Sequence, residues 1–200
     1  MGFSIPTTLT SCRHGFRDSV LLKTRLRRLF PSGGVDGKPV WLTCVTIRPA
    51  RRISQDGQWA LSGGFEFTAR FWNVATGKAV DFDPHTHMYG GGLSPDGRLA
   101  LTAGGDQLVR LWNMPGRVEL ARYAGHSGHV YAAIFSPDGR RILSGDATGE
   151  VRLWDTKTAQ ELHCYRGHTK PISRLAFSPD GRYGLSSGED DTVRLLGLPP

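Results

Sequence analysis

Cysteine is scarce and unpatterned. Cys12, Cys44 and Cys164 are odd in number, and none stands in a CxxC pair. The sequence therefore encodes neither a disulfide framework nor a zinc ribbon, and a reducing compartment, the cytoplasm, is the expected location. No run of 18 apolar residues exists, so no membrane-spanning helix is expected. Residues 1–30 lack the continuous apolar core of a secretory signal. Long uninterrupted helices are not expected either, because 26 Gly and 12 Pro break the chain into short pieces. Acidic residues are nearly missing from one quarter only. Residues 1–52 hold ten Lys/Arg against two Asp, a balance of +8, whereas residues 53–200 hold fifteen Lys/Arg against sixteen Asp/Glu, a balance of −1. The net charge of +7 thus belongs to an N-terminal extension and not to the rest of the chain. Nucleic-acid binding has only this basic segment behind it. Its aromatics are sparse and fit no RNA-module signature, so a solvated segment is the preferred reading.

What the sequence does contain is a repeat. SPDGR occurs at residues 94–98, 136–140 and 178–182, at intervals of 42 residues. SQDGQ at 54–58 is a fourth copy. Aligned on the Asp-Gly pairs, the segments end in an aromatic slot at Trp72, Trp112, Trp154 and Leu196, and both series step by 40, 42 and 42. Return at such a period marks a repeat architecture. One unit reads VYAAIF, SPDG, RRILSG, DATGE, VRLWD, TKTAQ, ELHCYRG. Short β-forming runs alternate with tight turns, Pro standing at the second turn position and Gly available for φ > 0. Val151 and Leu153 alternate with Arg152, as a half-buried strand requires. Each unit predicts a small four-stranded antiparallel sheet, which cannot bury its apolar faces alone and must stack on its neighbours.

The period, the Gly-His pairs at 125–126 and 167–168, and Trp154-Asp155 resemble WD40 repeats. The resemblance covers residues 53–200 and extends more faintly to GKPVW at 37–41. It implies an all-β fold of propeller blades, about four repeats forming a partial or half propeller. The repeat domain would span 37–200, in units of approximately 37–82, 83–124, 125–166 and 167–200, after a basic extension over 1–36. The family ties each blade with a buried chain of His, Ser/Thr, Asp and Trp side chains. The matching positions are Ser62 and Trp72 in the first unit, and Thr102, Asp106 and Trp112 in the second. They are His126, Ser144 and Trp154 in the third, and His168, Ser186 and Asp190 in the fourth. Glu66 stands in the first unit's Asp slot, Pro84 in the second's His slot and Thr148 in the third's Asp slot, while Leu196 replaces the fourth indole. On this alignment no unit carries all four groups.

The resemblance also implies a function: a scaffold that binds other proteins, with no catalysis and no cofactor of its own. Contacts would come from the loops at the blade entrances, through Phe65, His87, Ser127, His129, Thr169 and Glu189. Propellers close with roughly four to eight blades. Four units therefore leave three arrangements open: a piece of a longer, for example kinase-linked, protein; a homodimer completing one ring; or tight closure of four blades. Residues 24–30, TRLRRLF, read equally as a closing strand or as part of a basic helix.

Three other patterns suggest chemistry. GLSSG at 184–188 matches a nucleophile elbow around Ser186, which would make a hydrolase. It lies in a repeated strand and on the structural Ser slot, so the structural reading is preferred. SGGVDGK at 32–38 lacks both ends of a phosphate loop. Asp83, His85 and His87 would share one face if extended and could ligate a metal. Loop histidines at a blade entrance are the simpler account, and no metal is expected.

Overall fold

The computed structural model describes residues 50–199 apart from Gln55, Phe65, Glu66 and Pro115, with backbone only for residues 50–52. The GKPVW segment, the first-unit acid Glu66, the rim candidate Phe65 and the closing-strand candidate at 24–30 lie outside the described residues. Among the described residues, fifteen strands form four antiparallel sheets and no helix occurs. The first sheet holds β1 (Ala50–Ile53), β2 (Trp59–Gly63), β3 (Ala69–Asn73) and β4 (Ala79–Phe82). The second holds β5 (Met88–Leu93), β6 (Leu99–Gly104), β7 (Val109–Asn113) and β8 (Val118–Tyr123). The third holds β9 (Val130–Phe135), β10 (Arg141–Asp146), β11 (Val151–Asp155) and β12 (Glu161–Tyr165). The fourth has three strands, β13 (Ile172–Phe177), β14 (Tyr183–Gly188) and β15 (Val193–Gly197). Strands within each sheet are paired in sequence order, so every connection is a hairpin.

The repeated turn explains why the first hairpin of each sheet forms. The serine carbonyl accepts the N–H of the turn glycine at 2.9–3.0 Å in all four copies. Ser54, Ser94, Ser136 and Ser178 each donate Oγ–H to the aspartate two residues on, at 2.5 Å. The same Oγ accepts the N–H of the residue five positions on, at 2.9–3.0 Å. The aspartate in turn accepts the N–H two residues further, at 3.0–3.1 Å. The glycines at 57, 97, 139 and 181 hold φ of 69–73°, a left-handed conformation that costs other residues about 1 kcal/mol or more. The serine-bound carboxylates are all held below the usual carboxylate range, the Ser hydroxyl being the main cause.

The sheets stack in chain order through their inner strands, β1 beside β5, β5 beside β9 and β9 beside β13. Three apolar layers fill the junctions. Leu61, Ala69 and Phe71 of the first sheet meet Ala100, Trp112 and Met114. Leu101, Val109 and Leu111 of the second meet Ile142 and Trp154. Leu143, Val151 and Leu153 of the third meet Ile172, Leu175 and Leu196. Inner strands lie close enough that β5 needs glycines. A Cβ on Gly90 would fall 2.5 Å from the Tyr131 carbonyl oxygen, and one on Gly92 would fall 3.0 Å from that of Ala133. Hydrogen bonds also pin neighbouring sheets. Buried Tyr123 donates to the Thr156 carbonyl at 2.8 Å, and Arg141 donates to the carbonyls of Gly181 and Pro199 at 2.8 Å each.

No comparable packing joins the fourth sheet to the first among the described residues. Leu143, Val151 and Leu153 are 0–1% exposed beneath the fourth sheet, whereas their counterparts Leu185, Val193 and Leu195 are 44–69% exposed. Among the described residues the stack is open, and its last face is apolar.

Candidate functional site

The polar chain inside the third sheet is complete. The Trp154 indole N–H donates to Ser144 Oγ at 2.7 Å, and the Ser144 hydroxyl meets His126 Nε2 at 2.6 Å. His126 Nδ1 lies 2.8 Å from Asp146 Oδ2. A carboxylate only accepts, so Nδ1 carries the proton and Nε2 accepts from Ser144. Every buried donor and acceptor of the chain is then paired. The carboxylate comes from Asp146. Thr148, which the alignment puts in that slot, instead donates its hydroxyl (2.7 Å) and its N–H (2.9 Å) to Asp146 Oδ1. The expectation that no unit carries all four groups is thus corrected. Burial pushes the Asp146 carboxyl up, but hydrogen bonds from His126, Thr148 and the Glu150 N–H more than offset it and hold it at about 2.

In the fourth sheet the carboxylate arrives by a different route. His168 Nε2 meets Ser186 Oγ at 2.9 Å, and Nδ1 meets Asp190 at 2.9 Å. Gly188 occupies the position equivalent to Asp146, and a Cβ there would fall 2.6 Å from His168 Nδ1 and 2.8 Å from Asp190 Oδ1. One repeat uses the residue two after the serine, the other the residue four after. The signal in the sequence is the pair Asp-x-Thr, at 146–148 and again at 190–192, where Thr192 also binds its aspartate at 2.7 Å. Burial works against ionisation of Asp190, yet Thr192 and His168 hold it well below the usual range.

Among the described residues, the first two sheets show only the indole half of the chain. Trp72 donates to Ser62, and Trp112 to Thr102, each at 2.9 Å. Asp106 pairs with Arg110 at 2.6 Å and not with a histidine, because Pro84 leaves no imidazole to receive it. Buried Thr86 fills the space against Gly104, and its Oγ1 accepts the Asp106 N–H at 3.2 Å.

Ser186–His168–Asp190 has the order of a hydrolytic triad. Ser186 is 1% exposed and faces a neighbouring sheet's core, so no acyl substrate reaches it in this conformation. The Asp83–His85–His87 segment is not extended. His85 takes φ of 61° and lies by Asp83 and the Trp112 ring. His87 instead packs on Phe67, with ring centroids 4.2 Å apart. Among the described residues, no three His, Cys, Asp or Glu side chains are grouped as metal ligands.

The two ends of the stack differ. One carries the Asp-Gly turns. The other carries the loops entering each sheet, held to the hairpin loops by Met88 N–H to Gly64 O, Gly105 N–H to His87 O, Ala147 N–H to His129 O and Glu189 N–H to Pro171 O, at 2.8–3.1 Å. His87, Ser127, His129, Thr169 and Glu189 all belong to this second end; all but half-buried His87 are exposed. The alignment missed the aromatic residues that join them. Phe67 is 51% exposed at φ 55°. Tyr89 stands 5.8 Å from the His129 ring and 5.2 Å, edge-on, from Tyr131. His129 Nδ1 is fixed by the Gly105 carbonyl at 2.6 Å. An aromatic strip thus crosses three sheets at one rim.

The profile described as "WD domain, G-beta repeat" matches residues 31–73, 82–113, 117–155 and 159–195. With that coverage, four-stranded sheets and a tryptophan-anchored polar chain, the chain belongs to the WD40 repeat family. No curated protein matches it as a relative.

Proposed function

We propose that this chain is a protein-binding scaffold, without catalysis of its own, whose contact surface is the loop rim carrying Phe67, His87 and His129. WD40 repeats are generally protein-interaction scaffolds. The observation that carries the reading is Phe67. A large apolar ring is held out to solvent in a left-handed backbone conformation and braced by His87. Aromatic anchors on a rigid scaffold dominate protein interfaces. Ser127, Thr169 and Glu189 add exposed polar groups along the same rim. The test is quantitative capture from lysate by immobilised wild type, Phe67→Ala and His129→Ala. Proteins lost with either variant, at unchanged melting temperature, support the rim. Equal capture by all three would overturn it.

A second reading concerns assembly. Ala60 and Trp72 of the first sheet are only half-buried, whereas their counterparts Ala100 and Trp112 are buried against the preceding sheet. The fourth sheet's exposed Leu185, Val193 and Leu195 are the counterparts of the faces that receive such a tryptophan. Head-to-tail pairing of two copies would cover both faces and complete one ring of about eight blades. Half-buried Cys164 is a free thiol, which accords with a cytoplasmic setting.

A further inference from the structure

In each of the first three sheets the third strand carries an arginine and the fourth strand an acid. Arg70 of β3 binds Asp81 of β4 at 2.9 Å. Arg110 of β7 lies 3.3 Å from Glu119 of β8. Arg152 of β11 binds Glu161 of β12. The fourth sheet keeps the arginine, Arg194 of β15, but among the described residues β15 pairs with β14 alone. Arg194 reaches no carboxylate among the described residues. Its Nη2 donates to the Gly167 carbonyl at 2.6 Å. The guanidinium nevertheless sits where that of Arg152 sits. A Cβ on Gly125 would fall 3.0 Å from Arg152 Nη1, and one on Gly167 would fall 2.7 Å from Arg194 Nη1.

Among the described residues the other edge of β15 therefore offers unpaired backbone groups, flanked by exposed Val193 and Leu195, with a cation already placed where the other sheets meet an acid. Such an edge is a template for strand addition, in which main-chain bonds supply affinity and side chains supply selectivity. We propose that the free edge of β15 binds an extended segment of a partner protein that carries a carboxylate, added antiparallel as a fourth strand with that carboxylate on Arg194. This deepens the scaffold reading and rests on it. Charge argues for a segment from another protein. Residues 24–30 of this chain carry Arg25, Arg27 and Arg28 and no acid, and would set like charge beside Arg194.

The probe is a fluorescein-labelled peptide copying residues 117–124, RVELARYA, which spans the outer strand β8. A second peptide carries Glu119→Lys. Each is titrated into the full 200-residue chain and followed by anisotropy. The Glu peptide is expected to bind saturably, and Arg194→Glu is expected to weaken it about tenfold, beyond the loss of one exposed ion pair because repulsion replaces attraction. The Lys peptide is expected to prefer Arg194→Glu over wild type. Where circular dichroism shows Arg194→Glu unfolded, Arg194→Gln replaces it, with a smaller loss and a weaker salt dependence expected. Absence of saturation, or equal affinity for wild type and variants, overturns the proposal. Phe67→Ala, far from this edge at the loop rim, should leave peptide binding unchanged. Peptide binding with no rim-dependent capture would sink the rim and keep the edge; the reverse would sink the edge alone.

Discussion

Single residues decide how rigid each sheet is. Ser144 serves two buried partners, the Trp154 indole and His126, whereas Ser186 serves His168 alone. Ser144→Ala should therefore cost about 2–3 kcal/mol and Ser186→Ala about 1–2 kcal/mol, since each buried group left unpaired costs about that much. Urea unfolding at neutral pH measures the difference, and equal losses would contradict the assignment. Asp146 adds a pH dependence. Its carboxyl is held at about 2 in the folded chain, below the usual 3.8. Stability from this group is complete above about pH 4 and is lost as the pH falls through 2, amounting to about 2 kcal/mol. Asp146→Asn should lose that amount at pH 7, with the gap to wild type closing toward pH 2. A gap that stays constant would refute the linkage. Asp146 also marks the limit of alignment. Its side chain reaches His126 from a strand end, and only the folded hairpins show that the position two after the serine in one repeat and four after it in the other reach equivalent imidazoles, His126 and His168.

At the scale of elements, hairpin formation follows from local chemistry. The Ser-Pro-Asp-Gly turn satisfies its own polar groups within six residues, so it forms without help from the core. Gly139→Ala should cost about 1 kcal/mol through backbone strain alone, because nothing but Pro95 Cδ, at 3.6 Å, lies near the added methyl. Gly90→Ala should cost more, about 2–4 kcal/mol, because β9 backbone blocks the methyl at 2.5 Å and a packed interior yields little. Thermal unfolding of the two variants would rank them. The reverse order would mean that β5 and β9 are not as close as described. The turn glycines are legible in the sequence beside their aspartates. The role of Gly90 is not, because it depends on Tyr131, 41 residues away on β9.

For the whole molecule, the open end dominates. Burying a Val or Leu side chain is worth about 1.5–3 kcal/mol, and three such residues of the fourth sheet remain largely in solvent. Light scattering of the 200-residue chain is expected to report a dimer, and Leu195→Glu a folded monomer, because a carboxylate there cannot be buried against a tryptophan face. A folded wild-type monomer at high concentration would exclude head-to-tail pairing. Open-ended polymers would show that the faces meet but the ring does not close.

The sequence by itself determined the repeat, its period, the four hairpin turns and the residues that alternate between core and solvent. These follow from contacts within about six residues or from strand periodicity, which any copy of the motif carries. The tertiary structure decided which carboxylate completes each polar chain, which aromatic side chains share a rim, and which faces and edges stay uncovered. Those outcomes depend on how one sheet meets the next. Leu153 and Leu195 occupy the same place in the same motif, yet one is buried and the other exposed, because only the first has a sheet packed over it.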